Sequence, residues 1–292
     1  MNSATGNLAK YDWHKIQQIV KWVVYSLLIV NFGFYIWEDT YRAIHTMHEG
    51  STWFDWLGQF ATTIDTSAWL IMILMFELET YQLEDEQWKT WVAKTVRGAR
   101  IVCYLMIAHT VVQYTDSVME YSPTQPLTEV SSLCDLADKG HSYVYNLEYT
   151  DVTADNCADI VEGSEFFKLG KNFLVVNEDG LHLERKHAWA DLIEIITWLV
   201  IIFAIEVIVR LQSRDIVSGR LMSVMKNSKR VGYAVLLALS IFWANLGHWL
   251  YTWDTFVWIA GFAAIEMNVS EWRDEILSED SPTNTNILAT AD

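Results

Sequence analysis

Three short acid-containing patterns give this sequence the composition to bind or move a cation. In each, an acid is followed by a Trp four residues later and by a Glu eight residues after the Trp, and the copies begin at Asp65, Glu194 and Asp254. All three lie inside apolar runs, where a carboxylate is costly unless it faces a cavity, a cation or another polar group. Rings of carboxylates are a common source of cation selectivity. We therefore interpret the pattern as one helix built three times, whose acids line a cation path.

The two acids of each copy are expected at different depths. Twelve residues separate them, which corresponds to about 18 Å along a helix axis, and the hydrocarbon core of a bilayer is about 30 Å thick. The first acid of each copy would form an outer level, and an inner level would be formed by Glu77, Glu206 and Glu266. Polar groups on neighbouring helices are candidates for the same path: Asn31, His109 and Asn245.

A purely structural interpretation of the inner glutamates competes with this one. They lie toward helix ends that also carry Lys and Arg, and Glu206 and Arg210 have the i,i+4 spacing of a salt bridge within one helix. Such pairs would only fix the packing of hairpins. The Trp of each copy is interpreted as packing core, because it lies deeper than an interfacial belt requires. The outer acids have no basic neighbours in sequence, so they are the stronger functional candidates.

Six segments are long enough to cross a bilayer, which takes about 20 mainly apolar residues. They cover roughly residues 18–37, 56–78, 99–117, 188–209, 231–250 and 253–270. Lys and Arg concentrate before the first segment and after the second and fourth, so the positive-inside rule places both termini in the cytoplasm. The predicted fold is an all-α integral membrane protein with six transmembrane helices in three same-sense hairpin repeats.

Four regions are expected along the chain. Residues 1–117 hold the first hairpin, a cytoplasmic amphipathic connector and the third transmembrane helix; 118–187 form an acidic extracytoplasmic α+β insertion; 188–273 hold helices four to six; 274–292 form a disordered cytoplasmic tail. Within the insertion, the alternating run 143–149 predicts a strand, and Asp179-Gly180 between two alternating runs predicts a β-hairpin. Cys134 and Cys157 predict a disulfide, because so small a core usually needs a cross-link.

Composition narrows the functional classes. The net charge of −17 excludes nucleic acid as a partner, because phosphate binding needs clustered Lys and Arg. No nucleotide-binding glycine loop, zinc-protease motif or nucleophile elbow is present, so nothing identifies an enzyme. No motif predicts a cofactor, and His45 with His48 is only a weak metal-binding pair. The N-terminus lacks the features of a signal peptide, so we expect the first helix to remain as an anchor.

We therefore expect a multi-pass protein of the inner (plasma) membrane that acts as a cation channel or transporter. The alternative is a non-transporting scaffold or sensor, or a subunit of a larger membrane complex, whose 118–187 domain binds an external protein or ligand. An oligomer is compatible with either function. The interior should discriminate between them. A polar cavity with unpaired acids favours transport, whereas a dry bundle with every acid paired to Lys or Arg favours the scaffold.

Overall fold

The computed structural model describes residues 13–48, 50–81, 91–122, 126–128, 130–161, 165–170, 173–212, 214, 216 and 218–263. For residues 13–17, 76–81, 92 and 93 it describes the backbone alone. Three expectations consequently fall outside the described residues: the place of Glu266, the tail 274–292 and most of the amphipathic connector.

The described chain is mainly helical, as expected. Six helices have both ends described: α1 (Trp13–Thr46), α2 (Trp53–Gln59), α3 (Ala61–Tyr81), α4 (Trp91–Tyr121), α5 (Glu178–Gln212) and α6 (Arg220–Asn245). A seventh, α7, covers residues 249–263. α3 packs against α1 and α4, and α5 packs against α4 and α6. Many outward-facing side chains of these helices are large and apolar, including Ile29, Leu105, Phe203 and Ile241.

Three helical segments are individually long and apolar enough to cross a membrane: Gln18–Thr46, Lys94–Tyr121 and Glu178–Gln212. A fourth candidate is the pair α2 and Ala61–Met75, bent by 65°. These segments indicate a membrane protein with three to four candidate spans, fewer than the six expected. The first turns of α6 carry Arg220, Lys226, Lys229 and Arg230, and these charged side chains lower the mean hydropathy of the helix. The described part of α7 is only 15 residues long, 249–263.

The first outer loop is more helical than expected. The expected spans 18–37 and 56–78 leave residues 38–55 as the loop between them, but α1 continues to Thr46 and α2 begins at Trp53. The start of α2 is a capping box, in which Asp55 N donates to Thr52 Oγ1 and Thr52 N donates to Asp55 Oδ2. The extension of α1 matters because it carries three charged residues, Glu38, Asp39 and Arg42, into the interior described below.

A small four-stranded sheet lies between α4 and α5, in agreement with the expected α+β insertion. Its strands are β1 (Ser142–Tyr145), β2 (Glu148–Asp151), β3 (Phe167–Leu169) and β4 (Leu174–Val176), in the order β2-β1-β4-β3. β1 and β4 are parallel, and the other two pairs are antiparallel. The run 143–149, predicted as one strand, instead forms the end of β1 and the start of β2, which are joined by a turn at Asn146 and Leu147. The Cys134–Cys157 disulfide is confirmed, with the two Cα atoms 4.9 Å apart.

The hairpin predicted at Asp179-Gly180 was wrong, because these residues lie in the first turn of α5. The Gly180 amide donates to Asn177 Oδ1 at 2.8 Å, which satisfies one of the free N–H groups at the helix start. Glu178 and Asp179 also suit this end of the helix, where the dipole favours negative charge. α5 thus begins inside the range 118–187 and extends from the sheet into the bundle without a break.

Candidate functional site

An acid-lined cavity of about 130 Å³ lies among the helices, and we call it the inner cavity. The first acid of each sequence copy lines it: Asp65 from α3, Glu194 from α5 and Asp254 from α7. Glu38 from α1 and Asp191 from α5 line it as well. Five carboxyl groups therefore surround one space, although they come from four helices that are far apart in sequence.

Asp254 is held by neutral donors from α1. Asn31 Nδ2 donates to Asp254 Oδ1 at 2.7 Å, and the Tyr35 hydroxyl donates to Oδ2 at 2.8 Å. Asn31 and Tyr35 are four residues apart and so share one face of α1. All three side chains are buried. This places Asn31 beside an outer acid, as the sequence analysis anticipated, and its amide can fix the carboxylate without neutralising it.

The indole groups of the acid–Trp pattern contact the acids directly. Trp69 Nε1 donates to Asp65 Oδ2 at 3.0 Å, and Trp198 and Trp258 are likewise hydrogen-bonding neighbours of the acid one turn earlier on their own helices. The spacing of four residues suits this contact, because residues i and i+4 lie one above the other on a helix. Asp65 Oδ1 is buried and has no hydrogen-bond partner among the described atoms.

The same three Trp side chains pack together at one end of the inner cavity. The ring centroids of Trp69 and Trp258 are 6.4 Å apart, and those of Trp198 and Trp258 are 6.5 Å apart. Phe262 completes the group, with its ring 5.2 Å from that of Trp198. All three Trp side chains are buried, which confirms that they are packing core. We call these four residues the aromatic floor.

A second cavity of about 260 Å³, the outer chamber, lies between the helices and the sheet. Residues of β2, β3 and β4 line it together with residues of α1 to α5. It shares five lining residues with the inner cavity: Arg42, Thr62, Tyr114, Leu147 and Asp191. The two spaces therefore adjoin, and we call the shared residues the neck. The outer chamber contributes further acids: Asp55, Asp116, Glu120 and Glu184.

Two residues of the neck are firmly held. Arg42 Nη2 lies 2.5 Å from Asp39 Oδ1, and the other oxygen of that buried carboxylate accepts from the Thr63 amide and hydroxyl. Leu147 sits at the tip of the β1–β2 turn with φ of 61°, a conformation that is uncommon for a side-chain-bearing residue. Its amide donates to Glu184 Oε1 at 3.1 Å. A residue of the sheet thus projects to the boundary between the two cavities.

Four titratable side chains follow one face of α5 through both cavities. Glu184, His187, Asp191 and Glu194 recur at spacings of three and four residues, which keeps them on one side of a helix over about 15 Å. Glu184 Oε2 lies 3.3 Å from His187 Nδ1. Glu184, His187 and Asp191 lie outside the acid–Trp copies and were therefore not among the predicted site residues. Their helical periodicity was the signal that could have identified them.

The remaining predicted residues lie elsewhere. His109 is only half-buried, its ring nitrogens have no partner among the described atoms, and it lines neither cavity. Asn245 is exposed at the end of α6. Glu206 is exposed and bound to Arg210 at 2.5 Å, which confirms the predicted i,i+4 salt bridge. Glu77 lies in α3, and its side chain is not among those described.

Near the C-terminal end of α1, a polar contact joins this helix to the sheet. His45 Nδ1 lies 2.8 Å from Asp151 Oδ1, and the Ser142 hydroxyl donates to the same oxygen at 2.7 Å. The hydrogen bond with His45 and then that with Ser142 hold the pKa of Asp151 below its usual value. His45 is thus used in a structural contact. Among the described residues, no group of three or more His, Cys, Asp or Glu side chains could hold a metal ion.

Comparison with known proteins finds no matching family model, no similar curated protein and no similar solved structure.

Proposed function

We propose that this protein is a membrane channel or transporter for cations, with a path that runs through the outer chamber, the neck and the inner cavity. One observation carries the proposal: five carboxyl groups line the inner cavity, and Arg42 is the only basic side chain that lines it within the described part of the chain. Arg42 is already bound to Asp39. Such a cavity lowers the cost of bringing a cation into the membrane, because carboxylates replace part of its hydration shell.

The proposal includes a topology of six transmembrane helices in three hairpins, with both termini in the cytoplasm of a cell with an inner (plasma) membrane. The charge distribution of the loops supports this orientation. Two contacts support the repeat: the first acids of all three copies line one cavity, and the three Trp side chains meet in the aromatic floor. Three helices of common origin packed around one axis would produce both contacts.

This orientation puts the sheet on the extracytoplasmic side, so the outer chamber would be the entrance. The Trp side chains of the aromatic floor follow the acids by one helical turn on their own helices. We therefore place the floor at the end of the inner cavity opposite the neck, where its packed rings would block a continuously open path. A path that is open toward one side and blocked toward the other favours gated transport over a continuously open pore. The scaffold alternative calls for a dry interior, and the acid-lined cavities argue against it. Binding of an external protein or ligand by the sheet domain stays a prediction.

The triple variant Asp65→Asn, Glu194→Gln, Asp254→Asn tests this function. In vesicles containing the purified full-length protein, we expect cation flux to fall at least about tenfold, because the negative potential that attracts the cation is removed. Flux would be followed with a potential-sensitive dye for sodium, potassium and choline separately. The wild-type and variant proteins would first be compared by size-exclusion chromatography and thermal unfolding, so that a folding defect is detected.

A matched control removes three acids from the surface of the sheet domain: Asp138→Asn, Asp155→Asn and Asp159→Asn. All three side chains are exposed, and the net charge changes by the same amount as in the triple cavity variant. This variant should retain wild-type flux. Wild-type flux in the cavity variant, or equal loss in both variants, would contradict a path lined by the cavity acids.

A further inference from the structure

We infer that the inner cavity binds a small organic ammonium ion, such as a methylated amine, in preference to a bare metal ion. The inference deepens the proposed function and rests on it, because it names the class of cation held at the same site. Three features of the cavity carry it: the chemistry of its walls, the arrangement of its carboxylates and its size.

The walls combine negative charge with aromatic rings. Of the eighteen residues that line the inner cavity, five are acidic and eight are aromatic. The aromatic residues are Tyr35, Trp69, Tyr114, Trp198, Trp243, Tyr251, Trp258 and Phe262. Aromatic faces attract cations through the ring quadrupole, and cages of aromatic residues are the usual recognition device for methylated ammonium groups. A path that conducts only small inorganic ions does not require eight aromatic side chains in its wall.

The carboxylates are spread around the cavity and do not converge on one point. A metal ion such as Ca²⁺ takes six to eight oxygen ligands at about 2.3–2.6 Å, so its ligands must converge. No such group of acids occurs among the described residues. Both oxygens of Asp254 are already occupied by Asn31 and Tyr35. Dispersed charge of this kind suits a bulky cation, whose charge is spread over several methyl groups.

The size of the inner cavity and one unpaired carboxylate oxygen in its wall fit the same ligand. A site for one water needs about 10–15 Å³, whereas the inner cavity measures about 130 Å³. It therefore has room for a ligand of several heavy atoms. Asp65 Oδ1 is buried without a hydrogen-bond partner among the described atoms, while Oδ2 accepts from Trp69. A quaternary ammonium ion carries its charge without N–H donors, and that charge can compensate such an oxygen beside an aromatic wall.

Choline and its neutral analogue 3,3-dimethylbutan-1-ol provide the test, because the two have the same shape and differ in charge. Isothermal titration with the purified full-length protein in nanodiscs should show choline binding that is at least about tenfold tighter than binding of the alcohol, or about 1.4 kcal/mol. Trp258→Leu should weaken choline binding about tenfold, and Trp258→Phe should retain most of it, because a ring remains. Trp249→Leu, which changes an exposed Trp outside the cavity, should bind as the wild type does.

Equal affinity for choline and the alcohol, or no binding of choline, would overturn the inference. So would a Trp249→Leu defect as large as that of Trp258→Leu, provided both variants unfold at the wild-type temperature. The outcomes also separate this inference from the function on which it rests. Acid-dependent sodium or potassium flux without choline binding removes the ammonium site and keeps the cation path. Choline binding without flux of any cation removes the path and keeps the site.

Discussion

At the scale of single residues, the acid–Trp spacing explains how carboxylates persist inside the bundle without basic partners. Trp69 donates to Asp65 from one turn further along the same helix, and Trp243 Nε1 of α6 lies 3.4 Å from Glu194 Oε2. A hydrogen bond from a neutral donor offsets part of the cost of burying a carboxylate group and adds no opposite charge. A Lys or Arg partner would have added a positive charge to the cavity, which would oppose the proposed binding of cations.

Arg42 is expected to be essential for stability at the neck. Asp39 is only 1% exposed, so Arg42→Gln would leave a buried carboxylate without its countercharge. Removing one partner of a buried ion pair costs about 3 kcal/mol or more. The matched control is Arg210→Gln, which breaks the same kind of bridge within a helix at an exposed site. Glu206 remains solvated in this control, so the loss in free energy of unfolding should stay below about 1 kcal/mol.

Thermal unfolding of both variants in the same detergent checks this prediction. The unfolding temperature of Arg42→Gln should fall clearly below that of Arg210→Gln. Similar values for the two variants would mean that Asp39 finds another partner or that water reaches it. In that case the neck would be more accessible to water than the ion pair between Arg42 and Asp39 suggests.

At the scale of elements, α5 organises the molecule, because it forms part of both cavities and packs against α4 and α6. Its contact with α6 depends on a close approach at Gly232. A Cβ at this position would lie 2.6 Å from Cγ1 of Ile201, which is fully buried in α5. Small residues allow such approaches between helices in membranes, where packing drives association.

Gly232→Ala should therefore destabilise the protein by about 1–3 kcal/mol, because the added methyl overlaps Ile201. The same substitution at Gly33 meets nothing within 4 Å and should be neutral or stabilising, since Ala favours helix by about 1 kcal/mol over Gly. Unfolding temperatures of the two single variants measure the difference. Adding Ile201→Val to Gly232→Ala should recover part of the loss. Equal changes in unfolding temperature in the two Ala variants would rule out close packing at Gly232.

At the scale of the whole molecule, the sheet domain and the helical bundle form one structure. His45 contacts Asp151, the Tyr41 hydroxyl donates to the Tyr149 carbonyl, and the amide of Leu147 reaches Glu184. These contacts attach the sheet to α1 and α5, two of the helices that line the inner cavity. A change in the position of the sheet would therefore alter the neck, where Leu147 lies.

The disulfide should stabilise this arrangement. It closes a segment with a sequence separation of 23, which corresponds to about 3 kcal/mol in the chain-entropy model. The double variant Cys134→Ala, Cys157→Ala should thus unfold at a lower temperature than Cys103→Ala, which removes the free buried cysteine. Reducing agent should lower the unfolding temperature of the wild type and leave that of the double variant unchanged. Insensitivity of the wild type to reduction would contradict a stabilising role.

The sequence alone supported predictions that depend on local or compositional features. The length of the apolar runs identified the long helices around Asn31, Asp65 and Glu194, because such a run is encoded by residues close together in the chain. The pairing of Cys134 with Cys157 followed from a count of the cysteines in a small domain. Asp179-Gly180 misled the analysis, because these residues suit both a tight turn and a capped helix start. Only the Asn177 side chain, bound to the Gly180 amide, distinguishes the two.

Tertiary structure alone decided which acids share a space and what surrounds them. Asp254 meets Asn31 across a separation of 223 residues, and Leu147 reaches the neck from a domain that follows α4. No local pattern encodes such contacts, because they depend on how helices pack after each has formed. The sequence therefore determined that carboxylates are buried in apolar helices. The fold decided that they face one cavity with an aromatic floor.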